Sequence, residues 1–134
     1  MRMITTGLLA LTLTAFAAQD ARAGLREESD INAGLLAIAA ADKIRRACDD
    51  VSGRLWVARN YLMGLKELAG ERGYSETEID EYVNNSANKA EMRKLRNAYF
   101  KSKGASNLDH ASLCRLGREE IAAKTQIGAF LKAK

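Results

Sequence analysis

Residues 55–73, LWVARNYLMGLKELAGERG, carry the clearest structural pattern of the chain. Apolar residues recur there at steps of 3, 4, 3 and 4, which places them on one face of an α-helix. The basic Arg72 followed by Gly73 is typical of a last helical turn and its C-cap. The stretch therefore predicts an amphipathic helix that buries one stripe against a core. The stripe consists of Leu55, Ala58, Leu62, Leu65 and Ala69.

The residues on either side of this helix favour the same structure. The chain has no proline and few clusters of β-branched residues, so little in it opposes helix. Apolar residues at helical spacing between Ile31 and Val51 predict a first helix, with Ser29 or Asp30 as its N-cap. Ser75 starts the strongest local signal, Ser-Glu-Thr-Glu, which fits a capping box at the start of a third helix.

The last part of the chain predicts two further helices. One opens at 107–109 and continues through Leu113, Leu116 and Ile121. A short one spans Gln126 to Leu131, with Thr125 as N-cap. No strand signal of comparable length is found. The sequence therefore predicts an all-α fold, a small bundle of four to five helices.

The third helix, which extends to about Ser102, changes its apolar side. At 100° per residue, the stripe before 84–88 and the stripe after it lie about half a turn apart. Asn84, Asn85, Ser86 and Asn88 separate them, and these residue types are poor in a helix interior. The helix either breaks there or packs its two halves against different neighbours. We expect one helix with two faces, because nothing in the segment forces a stop.

Composition bounds the size and the chemistry of the protein. The 134 residues are 47% hydrophobic and 28% charged, which fits one globular domain, predicted over 24–134. One His and two Cys are too few for a closed four-ligand zinc site. Phosphate-binding, dinucleotide-binding, nucleophile-elbow and zinc-protease motifs are all missing from the sequence. We therefore expect a protein that is not an enzyme and holds no metal or cofactor.

The first 23 residues have the composition of a secretory signal peptide. A positive start is followed by an uncharged stretch, Gly7 to Ala18, and by Ala21-Arg22-Ala23. Twelve helical residues rise only about 18 Å, too short for the roughly 30 Å hydrocarbon core of a bilayer. An uncleaved anchor or a buried helix is the alternative. We expect cleavage near Ala23 and a periplasmic protein.

Export gives the two cysteines a meaning. Cys48 and Cys114 are an even pair, and in an oxidising compartment such a pair forms a disulfide. No C-x-x-C motif supports a redox catalyst. The bridge would close a loop of 66 positions, which stabilises the fold by roughly 4 kcal/mol in the chain-entropy model.

Charge is divided between the two halves of the domain. Residues 24–88 hold 8 basic and 12 acidic residues, whereas 89–134 hold 11 and 4. The basic residues of the third helix fall within about 80° on a helical wheel, beside an apolar stripe. This basic ridge suits an anionic partner, either a protein or a membrane surface; the alternative is a solvated face. Nucleic acid is not expected, since no aromatic stacking surface accompanies it. The ridge consists of Lys89, Arg93, Arg96, Phe100 and Lys103.

A second set of candidates lies around the second cysteine. Arg115 and Arg118, with Glu120, could form a buried ion network or a small-anion site, although ordinary structural pairing is the default. His110, at a predicted helix start, could line a pocket with Arg115 in a small-ligand binder or hydrolase. Trp56, Tyr61 and Met63 of the second helix are expected to complete the core. Few residues are therefore candidates for a catalytic or ligand-binding site.

Several stretches together resemble a known family. They are Ala41-Asp42-Lys43-Ile44-Arg45, Gly73-Tyr74-Ser75-Glu76, Tyr82-Val83, Leu113-Cys114-Arg115-Leu116-Gly117-Arg118-Glu119-Glu120-Ile121 and Gln126-Ile127-Gly128. Over almost all of 24–134 the chain resembles an uncharacterised family of small exported bacterial helical proteins, known only as a domain of unknown function. Genes of that family often lie near those of the proton-pumping NADH dehydrogenase. The resemblance implies no established activity, but an accessory role on the periplasmic side of that respiratory complex.

Overall fold

The computed structural model of the protein describes residues 24–134, so the predicted signal peptide lies outside the described residues. Within that range no helix has the length and apolar character needed to cross a membrane. A short 3-10 helix, Leu25–Glu27, precedes the main elements. These are α1 (Ser29–Ala47), β1 (Val51–Gly53), α2 (Leu55–Glu71), α3 (Glu76–Asn84), α4 (Ser86–Ser102), α5 (His110–Ala122), α6 (Gln126–Ala129) and β2 (Leu131–Ala133).

The predicted all-α fold with one disulfide is confirmed, and one expectation about its helices is wrong. The long third helix is two helices, α3 and α4, separated at Asn85 in extended backbone (φ −64°, ψ 128°). The Asn85 side chain accepts hydrogen bonds from the backbone N–H groups of Ala87 and Asn88 at 2.9 and 3.1 Å. Asparagine caps the new helix more favourably than it sits inside a continuous one. The described range therefore contains six α-helices.

The predicted helix starts in the second half of the chain are confirmed. Ser75 and Glu78 form the capping box of α3, with both reciprocal hydrogen bonds present. Thr125 caps α6 by accepting from Gly128 N at 3.0 Å. The start of α1 differs, because its N-cap is Glu28, which makes no side-chain capping bond. Asp30 lies inside the helix and accepts from the N–H of Ile31.

The structure contains a small antiparallel sheet that the sequence did not predict. β1 pairs with β2, with Ser52 opposite Lys132, so the segment after α1 is tied to the end of the chain. Leu131, expected in the final helix, begins β2. Strands of three residues are too short to show the period of two on which a prediction depends.

The larger core, here named the disulfide cluster, surrounds α1 and the bridge between Cys48 and Cys114, whose Cα atoms are 5.1 Å apart. Helices α2, α4, α5 and α6 all pack against α1. Helix α6 packs so closely on α5 that a Cβ at Gly128 would lie 2.1 Å from the carbonyl oxygen of Glu120. The largest fully buried side chains of the cluster are Phe100, Phe130, Ile44, Leu113, Leu116 and Val51.

A smaller core, here named the Tyr74 cluster, joins the 3-10 helix and the start of α1 to the end of α2 and to α3. Its buried residues are Leu25, Ile31, Ala69, Tyr74 and Ile79. Polar contacts surround it. Arg72 pairs with Glu28 and Asp30, and the Tyr82 hydroxyl donates to Asn32 Oδ1 at 2.6 Å.

The expectation that three residues of α2 complete the core is correct for one of them. Tyr61 packs edge-on against Phe130, with ring centroids 5.1 Å apart. Trp56 is 76% exposed and Met63 54% exposed, so their placement in the core is wrong. Both lie on the side of α2 opposite its buried stripe, which the stripe itself already predicts at 100° per residue.

Candidate functional site

The basic residues of α4 border a groove that runs over α1. The floor is α1, with Leu35, Ile38 and Ala39; α2 forms one wall and α4 the other, and α3 closes one end. We call it the α1 groove; its volume is about 660 Å³. The side chains on its walls are Leu62 and Lys66 from α2, Lys89, Met92, Arg93 and Arg96 from α4, and Val83 from α3.

The rim of the α1 groove carries more positive than negative charge. Five cations line it, Arg46, Lys66, Lys89, Arg93 and Arg96, against the carboxylates Asp42 and Asp80. Both carboxylates are already paired. Asp42 contacts Arg45 at 2.7 Å and also Arg46, and Asp80 contacts Lys66 at 3.3 Å.

Three of the cations form no ion pair with any residue that the structure describes. Within residues 24–134, Lys89, Arg93 and Arg96 take part in no ion pair. The guanidinium of Arg96 donates instead to Asn97 Oδ1, at 3.0 and 3.1 Å. Asp42 and Asp80 line the same groove but pair with other cations, so these three side chains can still contact an anion.

The pKa of Arg96 reflects the positive charge gathered at the rim of the α1 groove. Partial burial lowers its pKa, and the nearby charges of Arg46 and Arg93 lower it further, while Asp42 acts in the opposite direction. Arginine stays protonated in proteins, so the shift means that the charged form is less favourable here than in water. A bound anion would relieve both the desolvation and the repulsion between the three guanidinium groups.

The other two members of the predicted basic ridge lie elsewhere. Phe100 is 0% exposed, in the disulfide cluster, and presents no surface to a partner. The Arg96 guanidinium lies 5.9 Å from the centroid of its ring. Lys103 follows the end of α4, and its Nζ lies 5.8 Å from the centroid of the Tyr99 ring. The ridge therefore contributes only its first three cations to the α1 groove.

Of the candidates near Cys114, the two arginines are engaged in contacts within the fold. Arg115 pairs with Glu119 at 2.7 Å, and it also donates to the carbonyl oxygens of Lys103 and Gly104 at 3.2 and 3.0 Å. It thus satisfies carbonyls at the end of α4. Arg118 lies 3.8 Å from Asp50. His110 is exposed at the first residue of α5.

Glu120 is a buried carboxylate whose partners are not Arg115 and Arg118, with which the sequence grouped it. It is 4% exposed, and its two oxygens accept from the hydroxyls of Tyr99 and Thr125. Burial, and then the neighbouring carboxylate, raise the pKa of Tyr99. Glu120 lies four positions after Leu116 and seven after Leu113, which places it on the buried face of α5, and this spacing was the available signal. The contacts join α4, α5 and α6, which is a structural role.

Metal binding finds no support in the described part of the chain. No three His, Cys, Asp or Glu side chains of residues 24–134 are grouped where they could hold an ion.

The fold and this groove define a small all-α domain, closed by one disulfide, with a cationic groove over its central helix. Comparison with known proteins gives the family. The chain matches a family of unknown function (DUF5333) over residues 23–132, and it belongs to that family. No curated protein and no solved structure matches the chain.

Proposed function

We propose that the protein is a non-enzymatic interaction module whose α1 groove binds an acidic amphipathic helix of a partner protein. The observation that carries the proposal is the set of three cations, Lys89, Arg93 and Arg96, that line one apolar groove and form no ion pair among the described residues, while the two carboxylates of the groove are paired with other cations. Charge that a fold leaves uncompensated costs stability, so its retention at one groove favours a role in recognition.

The shape of the α1 groove favours a helix as the occupant. Two helices flank a third and leave its outer side open, so a fourth helix would complete a bundle. Apolar side chains such as Leu35, Leu62 and Met92 lie inside, and the cations stand at the rim. A helix with an apolar stripe bordered by Asp or Glu matches both features, as in other helix-in-groove interactions.

The cellular setting is a further part of the proposal. Export to the periplasm is supported by the composition of residues 1–23 and by the disulfide, which oxidising compartments favour. The resemblance to a family encoded near the proton-pumping NADH dehydrogenase supports an accessory role at the periplasmic side of that complex. The partner would then carry its acidic helix on a periplasmic surface.

Carbodiimide crosslinking in intact cells tests the proposal, because this reagent joins a lysine amine directly to a contacting carboxylate. We expect a conjugate between Lys89 and an Asp or Glu in a helical segment of one partner, identified by mass spectrometry. Replacing Arg93→Glu and Arg96→Glu together is expected to lower the affinity for that partner about 30-fold or more, or ~2 kcal/mol.

The matched control makes the same change of charge on the other side of α4. Lys94 and Lys101 are exposed and lie roughly 80–160° away from Arg93 and Arg96 on the helix. The double variant Lys94→Glu/Lys101→Glu is expected to bind the partner normally. Equal losses in both double variants would contradict the proposal. A second result would also contradict it: Lys89 forms no conjugate with any protein, and only the Arg93→Glu/Arg96→Glu variant loses binding to anionic vesicles. That result would identify the groove as a site for lipid headgroups.

A further inference from the structure

The first turn of α2 exposes three consecutive apolar side chains. Leu55 is 60% exposed, Trp56 76% and Val57 37%. Arg54 precedes them and Arg59 follows, so we call residues 54–59 the α2 tip. The tip carries the only tryptophan among the described residues. Exposure of its large aromatic side chain to water is unfavourable in free energy, and packing within the fold does not offset this.

Cations accompany the apolar residues of the α2 tip, and one carboxylate, Asp42, lines the same pocket as Leu55 and Arg59. The guanidinium of Arg59 lies 5.9 Å from the centroid of the Trp56 ring. Lys132 stands opposite Ser52 in the sheet that leads into α2, and it is exposed. The first turn of α2 contains no acidic residue. Asp49 and Asp50 precede β1, and Asp50 lies 3.8 Å from Arg118.

We propose that the α2 tip inserts into the headgroup region of an anionic lipid bilayer. Tryptophan favours this region because its ring is apolar and its N–H is polar, and arginine contacts the lipid phosphates beside it. The tip contributes no residue to the α1 groove, although the pocket lined by Leu55 and Arg59 adjoins that groove at Leu62. The two proposals are therefore tested with different residues. The α2 tip would hold the domain on a membrane while the α1 groove binds its partner.

A second copy of the chain fits the α2 tip less well than a bilayer does. A symmetric dimer would bring Arg54 and Arg59 against the same residues of the other copy, and like charges at an interface cost affinity. Three side chains also offer far less than the roughly 800 Å² per partner of a stable interface. Anionic headgroups, in contrast, are attracted by the same cations.

The fluorescence of Trp56 tests this proposal directly. Because it is the only tryptophan of the 134-residue chain, its emission reports on the tip whatever other segment binds. We expect a blue shift, and quenching by brominated lipid, when vesicles of phosphatidylglycerol and phosphatidylcholine are added. The response should be weaker with phosphatidylcholine alone and should fall as salt rises.

Variants that keep Trp56 measure the contribution of its neighbours. We expect Leu55→Ser to lower partitioning about tenfold, and Arg59→Ala to lower it about fivefold. Leu108→Ser is the matched control, since Leu108 is even more exposed but lies outside the tip, and it should partition normally.

Three results would overturn the membrane assignment. The first is unchanged Trp56 emission on anionic vesicles, even where the protein sediments with them. The second is an equal loss in Leu55→Ser and Leu108→Ser. The third is a blue shift that depends on protein concentration without vesicles, which would assign the tip to a second copy. None of these results bears on the α1 groove, whose own test uses Arg93 and Arg96.

Discussion

The two cores of the domain are built in different ways. The disulfide cluster gathers thirteen buried residues around α1 and adds a covalent bridge between α1 and α5. The Tyr74 cluster has five buried residues and is surrounded by polar contacts, among them the pairing of Arg72 with Glu28 and Asp30. The Tyr74 hydroxyl donates to Glu28 at 3.0 Å. One core depends on apolar burial, and the other depends largely on solvent-accessible polar contacts.

This difference predicts unequal local stability. Regions with few buried contacts open at lower free energy than the main core of the same protein. The α1 groove spans both regions, because its floor is α1 while its end wall, with Asp80 and Val83, belongs to α3. We therefore expect the end wall to adjust when a partner binds, while the cationic wall on α4 keeps its position.

Removal of the disulfide is expected to have the largest effect. Replacing Cys48→Ser and Cys114→Ser together frees a loop of 66 positions, which lowers the free energy of unfolding by roughly 4 kcal/mol. Urea denaturation followed by circular dichroism measures the change. A loss below ~1 kcal/mol would show that apolar burial alone holds the disulfide cluster.

A cavity in the Tyr74 cluster is expected to cost less and to act locally. Ile79→Ala removes a buried side chain of α3 and should lower the free energy of unfolding by about 2 kcal/mol. Hydrogen exchange should show faster exchange in α3 and at the start of α1, and unchanged protection in α5. Ile44→Ala, in the disulfide cluster, is the matched control and should lower protection in both regions. Uniform loss of protection in Ile79→Ala would contradict the comparison.

The sequence predicted those parts of the fold whose causes are local. The capping box at Ser75 and the cap at Thr125 each depend on residues within one turn, and both are present. Helix α2 is present as well, but Leu55, predicted in its buried stripe, is 60% exposed, so that part of the prediction is wrong. The break at Asn85 depends on a balance between capping and helix continuation, which packing on both sides decides. The sheet of β1 and β2 joins segments about eighty positions apart, so no local pattern shows it.

The candidate site was predicted in part, for a similar reason. A helical wheel placed Lys89, Arg93 and Arg96 together, and all three line the α1 groove. The wheel also included Phe100, which is buried because the second half of α4 packs into the disulfide cluster. A helical wheel assumes that all residues at one angle share the same environment along the whole helix. In α4 the environment at that angle changes from solvent-accessible at Arg93 to buried at Phe100. Arg46 joins the site through tertiary packing, which the sequence of α4 does not contain.

Alkaline solution is expected to weaken the disulfide cluster more than the Tyr74 cluster. Tyr99 has a pKa raised above its usual 10, first by burial and then by Glu120, so the folded state keeps a proton that the unfolded state loses. Stability is therefore fully present below pH 10 and falls as the pH rises above it. Urea denaturation at pH 8 and pH 11 should show a smaller loss in Tyr99→Phe than in the wild type. Tyr82→Phe is the comparison at the other core, where Asn32 and Arg26 counter the rise in pKa due to burial. Equal losses in the wild type and Tyr99→Phe would contradict this assignment.

Acid is expected to act on the Tyr74 cluster, with the smallest effect, because the groups involved are exposed to solvent. Hydrogen bonds from Arg72 lower the pKa of Asp30 from its usual 3.8 to about 2. The contribution of Asp30 is fully present above pH 3.8 and is lost as the pH falls through about 2. Arg72→Gln removes this contribution, so between pH 4.5 and pH 2.5 its Tm should fall less than that of the wild type. The remaining carboxylates titrate in both proteins, and the difference between the two slopes isolates the pair. If the slopes are the same, the polar contacts do not hold the Tyr74 cluster, and its five buried side chains alone account for its stability.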